Sequence, residues 1–214
     1  MAAAEPNGDG DAGPRGQRAA YRRSAGSPRG EARRRQLLER VVDDLATNGL
    51  VDFSLRRAAR AAGTTHKVLL YYFDGPDDLL EQAVLQLREG RIERGMAAAM
   101  QGAAGKSLPG RVRAIWAALA SEQSRALDQA IGLTLYDPAR YARLGQTASE
   151  RYVPSLMSIC PPDWPDRRKR EVAEMIMAAL RGFIVEWLTS GNTTGVDAGF
   201  EALTRALERE EAVG

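Results

Sequence analysis

The stretch Ser54–Phe73, SLRRAARAAGTTHKVLLYYF, divides into an arginine-faced helix, a glycine and a second short helix. Ser54 is placed to cap the first helix by accepting from its free N–H groups, and Leu55, Ala58, Ala59 and Ala62 recur at helical spacing on one side. Arg56, Arg57 and Arg60 fall on the other. Gly63 ends the helix where a positive φ costs little, and Thr64 or Thr65 can cap the next, which leaves a turn of only a few residues. Helices joined so tightly cross steeply, and the small alanines let their backbones approach. Leu69 and Phe73 then anchor the second helix, with Lys67, Leu70 and Tyr71 pointing outward. This spacing predicts a helix-turn-helix, whose second helix reads a major groove.

Outward from that stretch, the run Leu37–Leu80 resembles the DNA-binding domain of the TetR family of bacterial transcriptional regulators. The resemblance is carried by an apolar helix ending in Asn48-Gly49, by FSLRRAARAAG and TTHKVLLYYF, and by an Asp-Asp-Leu-Leu start to the next helix. It implies an all-α protein with a helix-turn-helix head over residues 31–78 and a larger helical body over 79–214 that binds an effector and dimerises. One departure is visible. Where the family commonly carries a Lys just ahead of that acidic-Leu-Leu start, this chain has Pro76, so one phosphate contact is absent.

The composition excludes several classes. With 214 residues, 44% hydrophobic and 27% charged, the chain is globular, and no apolar run is long enough to span a bilayer. A cytoplasmic protein without membrane contact is expected. One cysteine, Cys160, excludes an internal disulfide and a multi-cysteine metal site, and the lone His66 removes most histidine-dependent catalysis. No enzyme, metal or cofactor is expected. Residues 1–73 carry 13 basic and 8 acidic side chains, net +5, while the remainder is net −3. A basic head on a mildly acidic body suits a polyanion-binding module attached to a domain with another task.

Residues 1–30, rich in Gly, Ala, Pro and Arg without hydrophobic period, read as a disordered arm. The first helix then spans about Glu31 to Asn48 with Leu37, Leu38, Val41, Val42 and Leu45 as its stripe. Arg33, Arg34 and Arg35 lie in its first turn, where the helix dipole disfavours cations unless an anion such as a phosphate answers them. Pro76 starts the fourth helix, and Gly90 and Gly95 are expected to bend it or end it early. Further helices follow from Leu108, over Ala126–Leu135 and over Pro138–Cys160. After the break at Pro161, Pro162 and Pro165, a broadly apolar helix covers Arg167–Ser190, and Val196 to Leu207 mark a last one.

The expected DNA contacts are Arg33, Arg34, Ser54, Arg56, Thr64, Thr65, His66, Lys67, Leu70, Tyr71 and Tyr72. Lys67 can donate to guanine, and Leu70 can meet a thymine methyl. The resemblance assigns the aromatic pair Tyr71 and Tyr72 to phosphate, with Tyr72 partly in the core. Thr64 and Thr65 read equally well as caps. The resemblance also implies a pocket in the body, with Met100, Trp116, Tyr136, Tyr152, Met157, Met175 and Phe183 as candidate lining, although each is also ordinary core. These residues favour an apolar or aromatic small-molecule effector. Arg181 sits within the apolar stretch, paired with Glu186, a ligand anion or solvent. The last two helices resemble the pair that forms a four-helix dimer interface, with Phe183, Trp187, Phe200 and Leu203 as candidates. The function implied is a ligand-responsive homodimeric regulator, a repressor on a palindromic double-stranded DNA operator. The alternative is a helical interaction or scaffold protein that keeps the fold without reading sequence.

Overall fold

Ser27 accepts from the Gly30 N–H at 3.1 Å, and Pro28 follows at a helix position that needs no donor, so the first helix begins three residues earlier than the hydrophobic pattern indicates. The computed structural model describes residues 27–101, 107–121 and 125–213, and most of the expected arm lies outside them. Every regular element among the described residues is an α-helix: α1 Pro28–Asn48, α2 Leu55–Ala61, α3 His66–Tyr72, α4 Pro76–Ala99, α5 Leu108–Ser121, α6 Arg125–Tyr136, α7 Pro138–Ser158, α8 Asp166–Ser190 and α9 Thr193–Ala212.

Local chemistry sets the boundaries of the head. Gly49, at φ 73°, ψ −172°, closes α1 with its N–H on the Leu45 carbonyl at 2.9 Å. At the end of α2 the Gly63 N–H meets the Arg60 carbonyl and the Thr64 N–H reaches back to Ala59, which is the Schellman arrangement around a glycine at φ 61°. Thr65, not Thr64, caps α3 through the Val68 N–H.

The fourth helix departs from the sequence expectation. It runs unbroken through Gly90 and Gly95 for 24 residues. A glycine inside a helix costs only ~1 kcal/mol, less than the packing that holds α4 against its neighbours. Gly95 is buried where α4 approaches α5, with the position of a Cβ 3.8 Å from Ile115. The seventh helix is kinked at Tyr141 (φ −105°, ψ 16°) and carries Pro154 within it.

Two apolar cores result. One joins α1–α4 of the head to Ala126, Leu127 and Ala130 of α6 and Leu144 of α7. The other fills the body between α5, α7, α8 and α9, around Val112, Ile159, Ile176 and Leu207. Helix α4 carries residues in both cores and is the beam that connects them. No helix among the described residues is long and apolar enough to cross a membrane.

Candidate nucleic-acid interface and effector cavity

The turn between α2 and α3 presents α3 at the surface. Leu69 is fully buried and holds the helix down, while His66, Lys67 and Leu70 are exposed, Leu70 by half its surface. Lys67 stands with Arg56 and Arg60 as exposed cations that have no ion-pair partner among the described residues. The Tyr71 and Tyr72 rings meet edge to face at 4.6 Å, both half-buried, and Tyr72 packs on the head core. Ser54 and Thr65 spend their hydroxyl oxygens as helix caps, and Thr64 is half-buried.

Several arginines staple the head together instead of facing outward. Arg57, placed by pattern on the outer face, turns inward. Its Nε lies 2.7 Å from Asp44, and its two terminal nitrogens donate to the carbonyls of Val51 at 2.7 Å and Gly49 at 2.8 Å. Arg40 donates to the Ala62 carbonyl at 3.0 Å and so closes the end of α2. Arg34 donates to the Tyr72 carbonyl and to Gln82 and lies over the Phe73 ring, which ties α1 to α3 and α4; Arg33 donates to Gln36. Arg34 therefore positions α3, and its guanidinium is not free to reach out.

The acidic start of α4 is internally engaged as well. Asp77 pairs with Arg140 of α7 at 2.7 Å, and Asp78 accepts from the Asp74 N–H and from Gln82. Head and body are also joined where Gln129 of α6 accepts from the Leu50 N–H at 2.5 Å.

In the body, a cavity of about 100 Å³ lies between α4, α5, α6, α7 and α8. Ile92, Met96, Ile115, Leu119, Ile131, Leu156, Met177, Leu180 and Ile184 form its apolar wall, and Arg91, Tyr152, Ser155 and Arg181 are its polar members. Arg88, also buried, donates to the Leu144 carbonyl and the Thr147 hydroxyl, each at 2.9 Å. Burial lowers the Arg88 guanidinium and raises the Tyr152 phenol, the latter opposed by Arg91, Arg88 and Arg181. Burial likewise raises the Asp128 carboxyl, against the pull of Arg91.

Of the residues expected to line a pocket, Tyr152 alone lines this cavity. Met100 and Tyr136 are corrected outright: they are 66% and 87% exposed, because each sits at the solvent end of its helix. Met175 is exposed on α8. Trp116 stacks on Phe200 at 5.4 Å and meets Phe183 edge to face at 6.0 Å, an aromatic group packed into the body core, and Met157 packs against the same core. Phe200 and Leu203 are likewise corrected as interface residues, since both are buried within the subunit. Arg181, which the pattern left open between partners, lines the cavity. Arg88 and Arg91 were missed, although a signal existed: the stripe Leu80–Val84 continues at helical spacing to Arg88, Arg91 and Gly95.

The comparisons with known proteins agree with this architecture. No family model matches the chain. The HTH-type transcriptional regulator BetI 1 of Chromohalobacter salexigens is 38% identical over 55 residues, which is 26% of this chain and 27% of that protein, so the match spans about a quarter of the relative's length. Solved structures match over much more. A member of the TetR family from Streptomyces coelicolor A3 superposes with a TM-score of 0.60 at 21% identity, over 82% of this chain and 98% of the other. The multidrug binding protein EbrR complexed with proflavin gives 0.62 at 18% identity, over 81% and 98%.

Proposed function

From the premise that this chain has the fold of the TetR-family transcriptional regulators, we propose that it is a ligand-responsive, homodimeric DNA-binding regulator, acting as a repressor on a palindromic operator. The observation that supports this most is α3. A buried Leu69 beneath exposed His66, Lys67 and Leu70 is a helix built to be held from below and read from above. Lys67 suits guanine or phosphate, Leu70 suits a thymine methyl, and the Tyr71 hydroxyl suits a phosphate oxygen. Arg56 and Arg60 add charge on α2, and the Ser54, Thr64 and Thr65 hydroxyls can add donors at the helix starts. With the usual Lys replaced by Pro76, affinity rests more on these cations, on Arg33 and on the arginines that precede the described residues.

Dimerisation is assigned to α8 and α9. Ala178 and Gly182 on α8 and Ala198 and Ala202 on α9 are exposed, and such small residues let a second pair of helices approach closely, with Met175 exposed on α8 beside them. Trp187, half-buried, and Leu188, half-exposed, extend apolar surface along α8. Two-fold symmetry then places the two reading helices on one DNA face, ~34 Å apart or a multiple of that. A molecule in the body cavity favours a subunit arrangement whose heads no longer fit successive grooves.

Selection of bound sequences from a random DNA pool at near-physiological salt tests this reading. Recovery of a palindrome is expected. Binding that is sequence-blind and merely salt-sensitive would overturn it in favour of a helical interaction protein.

A further inference from the structure

The body cavity has apolar walls, and its lining brings the guanidinium groups of Arg91 and Arg181 together with the Tyr152 phenol. Arg88, buried outside the lining, also acts electrostatically on Tyr152, and Asp128 is the carboxylate that faces Arg91. Asp128 stands 3.8 Å from Arg91, too far for a hydrogen bond, and both the Arg91 Nε and one Asp128 oxygen are buried without a hydrogen-bond partner among the described residues. Arg88 is satisfied by a carbonyl and a hydroxyl, which are neutral and cancel none of its charge. Arg91 is 7% exposed, and Arg181 has no ion pair among the described residues.

A buried guanidinium with an unused donor costs stability unless an anion meets it. Asp128 meets Arg91 only at 3.8 Å, which leaves the Arg91 Nε unused, and Arg181 lines the cavity without a carboxylate partner among the described residues, so an entering anion would complete both.

We infer that the cavity binds an anionic amphiphile, whose oxyanion (a carboxylate or sulfonate) sits between Arg91 and Arg181 and whose apolar body lies along Met96, Ile115, Leu119 and Ile184. This adds an anionic group to the apolar or aromatic effector expected from sequence. At about 100 Å³ the cavity is smaller than the ~300–1,000 Å³ of ordinary ligand clefts, so the ligand must displace pliable side chains, Met96 and Met177 first. That the anion is the effector rests on the regulatory reading above, whereas its binding can be measured without DNA.

The test uses the full chain and two fluorescent probes that share one aromatic body and differ by a sulfonate: 8-anilino-1-naphthalenesulfonate and the uncharged N-phenyl-1-naphthylamine. The native protein should bind the sulfonate about tenfold or more tightly, the effect of one charge-assisted hydrogen bond. Decanoate should displace it and decanol should not. Arg181→Met should abolish the preference while the neutral probe binds as before, Arg181→Lys should retain most of it, and Asp128→Asn, which removes the competing carboxylate, should tighten the sulfonate. Should Arg91→Met fail to fold, judged by circular dichroism, the half-exposed Arg181 carries the test. Equal binding of both probes, binding of neither, or an anion preference that survives Arg181→Met would overturn the inference. An operator palindrome recovered without anion preference leaves the DNA reading intact, and anion preference without any selected sequence leaves the cavity assignment intact.

Discussion

Arg57 shows how far one side chain can depart from its place in a pattern. Helical spacing puts it beside Arg56 and Arg60 on a solvent face, yet its guanidinium reaches back to Asp44 and to two carbonyls at the end of α1. Arg57→Ala leaves those acceptors unpaired and should cost the fold about 1–3 kcal/mol, read as a lower urea midpoint. Arg56→Ala, by contrast, should leave the midpoint unchanged within about 0.5 kcal/mol, since its side chain is exposed and makes no ion pair among the described residues. Changing Lys67 and Tyr71 together to Ala should abolish selective DNA binding while far-UV circular dichroism and dimer mass stay the same; operator binding of native strength would remove α3 from the reading role.

At the scale of elements, the short helices were legible because caps and glycines are local devices. Ser54, Gly63 and Gly49 each act within a few residues of their own position and start or end a helix where the sequence places it, and Thr65 is one of the two caps that the sequence allows for α3. The fourth helix was misjudged at Gly90 and Gly95 for the opposite reason, since its continuity depends on packing against distant α5 and α7. Gly49 is the joint where element meets element. Its φ of 73° with ψ near 180° is a region almost closed to other residues, and a Cβ there would stand 2.5 Å from the Gln129 amide oxygen that holds Leu50. Gly49→Ala should therefore destabilise the head by about 1–3 kcal/mol and loosen its hold on α6. Hydrogen exchange at the Leu50 amide would report the second effect, and unchanged protection there would argue against it.

For the whole molecule, the decisive question is which face would carry the proposed dimer. Of the residues first expected there, Phe183, Trp187, Phe200 and Leu203, the last two are spent inside the subunit, and the small residues of α8 and α9 remain outside. Gly182 is a clean probe because a side chain added there meets nothing within 4 Å of its own subunit. Gly182→Glu should keep or raise subunit stability, glycine being a poor helix former, yet shift the mass in light scattering from dimer toward monomer and weaken operator binding. A dimer of unchanged strength would place the interface elsewhere.

The sequence by itself determined the elements that depend on neighbours in the chain: the capped α2–turn–α3 unit, the anchoring of α3 by Leu69, the exposure of Lys67 and Leu70, and the all-helical body. These follow from backbone geometry and from a hydrophobic period that one helix displays alone. Only the tertiary structure decided which arginines are structural and which are free, that most Met and aromatic candidates are core or surface, and that Arg91 and Arg181 converge on one cavity. Convergence of side chains from α4 and α8 is a property of how helices cross, and a charge on a helix stripe looks the same in sequence whether water or another helix faces it.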